Sequence, residues 1–172
     1  LALDARSGEI LWRYDHKQPP DLKACCGPVN RGVAIAGEKV LMATLDAHLI
    51  AFDRRSGEIL WDTEMIPYAK GYAPTAAPLV VENLAIIGTG GGDYGARGFF
   101  DAYDLETGKR VWRHETVPMA GEPGAETWEG DSAQNGGAPT WTTGAYDPAT
   151  DTVFWTTGNP APNYDGEPRG GD

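Results

Sequence analysis

AFDRRSGEILW, at residues 51–61, is one copy of a phrase that recurs along the chain. Its pattern is Ala-x-Asp-x-x-x-Gly-x-x-x-Trp, and further complete copies occupy residues 2–12 and 102–112. A degraded fourth copy at residues 145–155 has Asp151 in place of the Gly. Successive copies begin about 40–50 residues apart, which is the repeat length typical of propeller blades. The repeats therefore predict that each unit is one blade.

Each copy has the features of a strand, a tight turn and a second strand. In residues 49–61 an apolar run leads into Asp53, and a short run after Gly57 ends at Trp61. Gly readily adopts the positive φ that such turns often need, and Asp can bond to nearby backbone at the start of the turn. The Trp side chain is large enough to fill the gap between adjacent sheets, provided that its N–H group finds an acceptor.

Two further strand pairs are predicted between the copies, at residues 32–35 with 39–43 and at residues 77–81 with 84–88. We find no helical periodicity over ten or more residues. Four strands per repeat, stacked radially, make a β-propeller. We therefore expect an all-β chain of roughly three to four blades, each a four-stranded antiparallel sheet. An ordinary β-sandwich with coincidental turns is the alternative, and three near-perfect copies argue against it.

The ends of the chain bear on its domain organisation. The sequence begins at Leu1, inside a repeat, and stops at residues 170–172 in a Gly/Pro-rich loop. It has no initiator Met, no signal peptide and no transmembrane span. A propeller must close on itself, and three to four blades are too few or barely enough. We therefore expect residues 1–172 to be one partial propeller domain, internal to a longer chain.

The chain is acidic, with a formal net charge of −11 and no basic stripe. This charge distribution argues against nucleic acid or an anionic membrane as a partner. The 23 glycines and 13 prolines suit a turn-rich β protein.

The only two cysteines, Cys25 and Cys26, are adjacent. Three alternatives are open: free and inert thiols, half of a metal site, or a bond between the two. Adjacent Cα atoms lie about 3.8 Å apart, whereas disulfides favour roughly 4.4–6.8 Å, so a vicinal bond would be strained. Such a bond closes almost no loop and therefore stabilises little through chain entropy. A strained bond without a stabilising role indicates a functional site.

Further motifs are rich in glycine and polar residues. Residues 90–93 read Gly-Gly-Gly-Asp after an apolar strand, where a ligand could approach the backbone and Asp93 could bind a hard cation. A flexible loop is the alternative, and the ending of a Walker loop is absent. Asn159 precedes Pro160, which favours an extended backbone and leaves the Asn159 side-chain oxygen free to cap, to turn or to bind a metal.

Taken in order, these motifs resemble the quinoprotein alcohol dehydrogenases. These enzymes use pyrroloquinoline quinone (PQQ) and include the methanol and ethanol dehydrogenases. The repeated phrase is similar to that family's tryptophan-docking motif, and the resemblance implies an eight-bladed propeller with the quinone near its axis. The series that carries it consists of residues 24–26, 29–32, 90–98 and 128–131, Trp141, and residues 158–162.

The resemblance implies how the cofactor is held. Cys25 and Cys26 match a vicinal disulfide that lies against one face of the quinone, and Trp141 matches an indole on the other face. Arg31 matches a guanidinium near the quinone oxygens, where its planar fork of donors suits carbonyl and carboxylate oxygens. The other implied cofactor contacts are Val29, Thr75, Gly90, Gly91, Gly92 and Thr140.

The resemblance also implies a metal site. Asp93 and Asn159 match the two protein ligands of the active-site metal, usually Ca²⁺, with a lanthanide as the alternative. The common pattern has Glu in place of Asp93 and Ser or Ala in the glycine run. Asp is one methylene shorter than Glu, but it is a hard oxygen ligand of the same charge. The family's catalytic Asp lies beyond Asp172, so we expect no general base within this chain.

The implied function is oxidation of a small alcohol to an aldehyde, with the metal as Lewis acid and PQQ as the redox group. Electrons would pass to a cytochrome c in the bacterial periplasm, an oxidising compartment that suits a disulfide. One alternative is a non-enzymatic propeller scaffold of the outer-membrane assembly lipoprotein type. Another is a degenerate dehydrogenase homologue without metal binding. The Cys-Cys, Gly-Gly-Gly-Asp and Gly-Asn-Pro motifs favour the enzyme, since a scaffold needs none of them.

Overall fold

The computed structural model describes residues 1–167, and it is built from strands, turns and one-turn helices. The end of the predicted Gly/Pro-rich loop, at residues 170–172, lies outside this range. Within the range no helix is long and apolar enough to cross a bilayer. The strands are β1 (Ala2–Leu3), β2 (Ile10–Trp12), β3 (Ala34–Ala36), β4 (Lys39–Ala43), β5 (His48–Asp53), β6 (Ile59–Glu64), β7 (Leu79–Val81), β8 (Leu84–Gly88), β9 (Phe99–Asp104), β10 (Arg110–Glu115), β11 (Ala145–Asp147) and β12 (Thr152–Phe154). The one-turn 3₁₀ helices are Tyr68–Lys70, Gly92–Tyr94, Ala125–Thr127 and Ser132–Asn135.

The strands form antiparallel sheets in which neighbours in sequence are neighbours in space. Two sheets have four strands, in the orders β3-β4-β5-β6 and β7-β8-β9-β10. In the part of the chain that the structure describes, β1-β2 and β11-β12 form two-stranded sheets before and after them. The predicted pairs at 32–43 and 77–88 are the β3-β4 and β7-β8 hairpins. The all-β class with four-stranded antiparallel sheets is therefore confirmed.

The Asp of the repeated phrase organises the turn between the two strands. Asp53 accepts hydrogen bonds from the backbone N–H groups of Arg55 (2.9 Å) and Ser56 (2.8 Å) and from the Ser56 hydroxyl (3.1 Å). Led by the Ser56 N–H group, these bonds hold the pKa of the Asp53 carboxyl below its usual value. Asp4 and Asp104 bond to the same relative positions of their own turns.

The Trp of each of the first two phrases packs on the turn of the next copy. The Trp12 indole lies over Gly57 and donates its N–H to the Arg54 carbonyl at 2.9 Å. Trp61 lies in the same way over Gly108 and donates to the Leu105 carbonyl at 3.0 Å. The indole thus fills the space between sheets and its polar atom is satisfied, as buried Trp requires.

The degraded copy at residues 145–155 is not equivalent to the others. The complete copies at residues 51–61 and 102–112 span the last two strands of four-stranded sheets. In contrast, β11 contacts β7, and β7 contacts β3, and both β3 and β7 are first strands of their sheets. Trp155 stacks on Phe100 with ring centres 5.2 Å apart, and its N–H has no hydrogen-bond partner within residues 1–167. The segment is therefore the first hairpin of its sheet, and its interpretation as a fourth copy of the motif is wrong.

Apolar layers between successive sheets form the core. Because successive side chains of a strand point to opposite faces of the sheet, each central strand contributes side chains to two apolar layers. Val40 packs in the layer that contains Trp12, whereas its neighbour Leu41 packs in the layer that contains Ile87 and Phe99. The sheets therefore stack side by side, and this order brings their corresponding ends together.

We predict that Gly108→Ala destabilises the protein more than a turn glycine with open surroundings does. A Cβ at Gly108 (φ +67°) would lie 2.7 Å from the Trp61 ring. The left-handed φ costs about 1–2 kcal/mol and the overlap adds about 1–3 kcal/mol. The control is Gly37→Ala, because Gly37 has φ +57° with no atom within 4 Å of that Cβ. Thermal unfolding of the full-length protein measures both, and equal shifts would show that the indole contact contributes nothing.

Candidate functional site

Loops from three successive sheets meet at one end of their first hairpins. The loops before β3, β7 and β11 contain Arg31, Thr75 and Trp141, and the loops after β8 and β12 contain Asp93 and Asn159. In an antiparallel hairpin, the start of the first strand and the end of the second lie at the same end. Residues that are far apart in sequence therefore converge.

These loops enclose a cavity of about 370 Å³. Small-molecule sites in proteins have volumes of about 300–1,000 Å³. The predicted residues on its wall are Cys25, Cys26, Val29, Arg31, Thr75, Gly90, Gly91, Asp93, Trp141 and Asn159. The sequence analysis missed Ala73 and Pro139, which also line the cavity and have no chemical signal in sequence.

Gly92 and Thr140, both predicted as cofactor contacts, do not line the cavity. Gly92 begins a 3₁₀ turn, and a Cβ there would lie 2.7 Å from the Pro139 ring. Thr140 is fully buried, and its hydroxyl donates to the Phe99 carbonyl and accepts the Thr89 N–H (2.9 Å). Both bonds direct the Thr140 hydroxyl to backbone groups of the neighbouring sheet. Its contact with a cofactor stays a prediction.

Trp141 and Arg31 form an aromatic and cationic part of the wall. The Arg31 guanidinium carbon lies 5.3 Å from the centre of the Trp141 ring, within the range of a cation–π contact. The Arg31 N–H donates to the Thr75 carbonyl (2.9 Å), and the Thr75 hydroxyl donates to the Trp141 carbonyl (3.1 Å). Trp141 is 43% exposed. This arrangement offers a flat apolar surface and hydrogen-bond donors to a planar anionic ligand.

The adjacent cysteines contribute another part of the wall. Their sulfur atoms are in contact, which argues against two separate inert thiols. Within residues 1–167, no group of three or more His, Cys, Asp or Glu side chains is placed to hold a metal ion, so nothing described supports the half-metal-site alternative. Cys26 has φ +66°, a conformation that side-chain-bearing residues rarely adopt. Such backbone outliers cluster at ligand-binding sites.

The glycine run shapes the loop that presents Asp93. Gly90 pairs with Ala73 through backbone hydrogen bonds in both directions (3.1 and 3.4 Å). Gly91 has φ +115°, and a Cβ there would overlap the Gly71 carbonyl oxygen. The chain can therefore pass close to its neighbour only without a side chain. The 3₁₀ turn that follows leaves Asp93 exposed at the cavity.

Asn159 lies on a segment that is pinned by backbone hydrogen bonds. The Gly158 N–H donates to the Pro139 carbonyl at 2.7 Å, and the Asn159 carbonyl accepts the Ala138 N–H at 2.8 Å. The Asn159 backbone is thus held against the segment that leads to Trp141. Its side chain is exposed at the cavity.

Asp93 and Asn159 are linked by an amide that the sequence analysis did not assign. Asn163 donates its Nδ2–H to Asp93 Oδ1 at 2.7 Å and accepts the Nδ2–H of Asn159. A carboxylate and amide oxygens are the hard donors that Ca²⁺ and related cations prefer. They supply fewer than the six to eight oxygens that Ca²⁺ takes, so a cation here would need others, from a cofactor, water or residues elsewhere. The residues thus fit part of a hard-cation site.

Comparison with known proteins gives consistent matches over the whole chain. The sequence profile of the PQQ glucose/ethanol/alcohol dehydrogenase β-propeller domain matches residues 1–172. Quinohemoprotein alcohol dehydrogenase ADH IIB of Pseudomonas putida is 45% identical over 178 residues, which cover 94% of this chain and 25% of that protein. A lanthanide-dependent methanol dehydrogenase of Methylacidiphilum fumariolicum is 36% identical over 192 residues, which cover 100% of this chain and 31% of that protein.

Structural comparison agrees. The solved structure of a europium-containing methanol dehydrogenase superposes with a TM-score of 0.87 at 37% identity, and it covers 95% of this chain and 32% of that one. The chain therefore spans between a quarter and a third of the length of these relatives.

Proposed function

The chain belongs to the family of PQQ-dependent glucose, ethanol and alcohol dehydrogenase β-propellers, and on that premise we propose that it forms the cofactor-binding part of an enzyme that oxidises an alcohol to an aldehyde. The observation that most supports this proposal is the cavity lined by both cysteines, Arg31, Trp141 and the two oxygen donors Asp93 and Asn159. Ten residues that the sequence predicts as site residues lie on its wall.

In the proposed complex, the residues of the wall bind and orient the cofactor. Trp141 would cover one face of the ring system, and a Cys25–Cys26 disulfide would lie against the other. Arg31 would donate to the quinone oxygens, and its position is held by the backbone bond to Thr75. PQQ, when bound, supplies the acceptor for the two electrons of the alcohol.

Asp93 and Asn159 would hold a cation, Ca²⁺ or a lanthanide, beside the cofactor. The cation supplies Lewis-acid polarisation of an oxygen atom. The carboxylate of Asp93 provides negative charge, and the Asn159 amide provides a neutral oxygen. The general base that takes the hydroxyl proton would be a further Asp, which is not among the residues that we assign to the cavity.

We also propose a periplasmic location and a cytochrome c as electron acceptor. The proposal is supported by the vicinal cysteines, because disulfides persist in oxidising compartments. The scaffold alternative would bind no quinone, and the degenerate homologue would bind quinone without a metal. Measurements of PQQ binding, metal content and dye reduction therefore distinguish the enzyme, the scaffold and the degenerate homologue.

We predict that the full-length protein, loaded with PQQ and Ca²⁺ or a lanthanide, reduces an artificial dye when supplied with primary alcohols. Trp141→Ala should weaken PQQ binding about tenfold through loss of the aromatic surface, and Trp141→Phe should retain most of it. Fluorescence titration of the metal-loaded protein with PQQ measures the affinity. Absence of both PQQ binding and dye reduction in the unaltered protein would favour the scaffold.

We predict that Cys25 and Cys26 are bonded to each other in protein purified from an oxidising compartment. Thiol counting under denaturing, non-reducing conditions should find neither sulfur free. Reduction before counting is the control, and it should release both thiols. Two free thiols without reduction would refute the disulfide.

We predict that Asp93→Ala lowers metal affinity and turnover together, because it removes a ligand and a charge. The loss should be at least the roughly 10–100-fold that is typical when only a hydrogen-bond partner of a metal ligand is removed. Asp93→Glu keeps both and should preserve or raise activity. The control is Asp131→Ala, which removes an exposed carboxylate outside the cavity. Metal content and dye reduction are measured on the full-length protein. Unchanged values for Asp93→Ala would show that Asp93 is only a loop residue.

A further inference from the structure

Asn163 has no role in the site assigned so far, yet it contacts both proposed metal ligands. We propose that Asn163 is a positioning residue, which holds Asp93 and Asn159 by hydrogen bonds so that each keeps one oxygen free for the cation. This inference rests on the proposed metal-dependent function. It concerns how the site is assembled rather than which residues ligate.

The orientation of the Asn159 amide supports the inference. An Asn side chain has one oxygen that can bind a metal and one NH₂ group that cannot. The Asn159 NH₂ group donates to the Pro160 carbonyl (3.3 Å) and to Asn163 Oδ1. Both hydrogens are thus engaged on one side of the amide, which leaves Oδ1, on the other side, available to a cation. Without Asn163, the amide would lose one of the two partners that fix this orientation.

The Asp93 carboxylate is held by the other end of the same side chain. Asn163 donates its Nδ2–H to Asp93 Oδ1 (2.7 Å), which is the one hydrogen bond to this carboxylate within residues 1–167. Oδ2 is left free. Because Asp93 is exposed, this bond restricts a carboxylate that could otherwise rotate in solvent. Partners of metal ligands that act in this way raise metal affinity by about 10–100-fold.

Asn163 is itself well placed to act as a support. It follows the pinned segment in which the Ala161 N–H donates to the Gly136 carbonyl at 2.9 Å. Asn163 also lines a second cavity of about 420 Å³, together with Asp93, Ser132 and Asn135. Asp93 lines both cavities, so the Asp93–Asn163 pair stands where the two meet. The loss of Asn163 would therefore release both ligands where the two cavities meet.

The short side chain at position 93 explains why such a support matters. Asp reaches one methylene less far than Glu, so its oxygen must be drawn towards Asn159. A glutamate at the same position would reach further without help. The positioning effect of Asn163 should therefore be large in the unaltered protein and small in the Asp93→Glu variant.

The test is a double-mutant cycle on the full-length, PQQ-loaded and metal-free protein. Ca²⁺ and Eu³⁺ are titrated calorimetrically into the unaltered protein, Asn163→Ala, Asp93→Glu and the double variant. We expect Asn163→Ala to weaken cation affinity about 10–100-fold, and Asp93→Glu to restore most of it in the double variant. A merely structural role of Asn163 would not give this rescue.

The matched control is Asn135→Ala, because Asn135 lines the second cavity and bonds neither ligand in residues 1–167. It should leave the cation affinity unchanged.

If Asn163→Ala lowers the thermal midpoint, Asn163→Ser is used instead, because the serine side chain is too short to bond both ligands. The inference would be overturned if Asn163→Ala left the cation affinity unchanged, or if it lowered the affinity equally in the unaltered protein and in Asp93→Glu. Dye reduction by the unaltered protein would in either case still support the proposed function. Failure of the unaltered protein to bind either cation would overturn both.

Discussion

The contact between the indole of one repeat and the turn of the next is the interaction on which the rest of the structure depends. Trp61 occupies the space that a side chain at Gly108 would need, and its N–H reaches the Leu105 carbonyl. Trp12 makes the same contact one repeat earlier. Each contact joins one sheet to the next, and the indole fills the space between the two sheets. The cavity loops before β3 and β7 and after β8 are carried by sheets that are fixed in this way, whereas the β11-β12 sheet meets its neighbour through the stacking of Trp155 on Phe100.

The site depends on this packing because no single sheet contains it. Arg31, Thr75 and Trp141 precede the first strands of three sheets, and hydrogen bonds between their backbones and the Thr75 hydroxyl join the loops. A shift of one sheet against the next would therefore separate the aromatic wall from the guanidinium. In repeat proteins stability is largely a sum of such nearest-neighbour interfaces. Ligand binding across three repeats should in turn stabilise those interfaces.

A buried ion pair connects the core to the cavity. Asp101 is fully buried and receives two hydrogen bonds from Arg113, at 2.6 and 2.7 Å. The Arg113 guanidinium lies 3.6 Å from the centre of the Phe99 ring, and the Phe99 carbonyl accepts the hydroxyl of Thr140, the residue before Trp141. Buried pairs of this kind add little net stability compared with apolar residues, but loss of one partner leaves an uncompensated charge. Arg113 also bonds the Met65 carbonyl of the preceding repeat (3.3 Å), so the pair helps to fix the register of two sheets.

The sequence by itself determined the fold class, the turns and most of the residues at the cavity. These follow from local chemistry: Asp and Gly specify the turn, alternation specifies the strand, and the ordered motifs specify the family. It misassigned residues 145–155, because a hairpin has the same local pattern whether it is the first or the second in its sheet. Only the contact of β11 with β7 distinguishes the two. The tertiary structure also decided which way side chains face: Thr140 bonds buried backbone groups of the sheet. Asn163 joins Asn159 of its own loop to Asp93, which lies 70 residues away in sequence. Such choices depend on partners that only the packing of the sheets brings within reach.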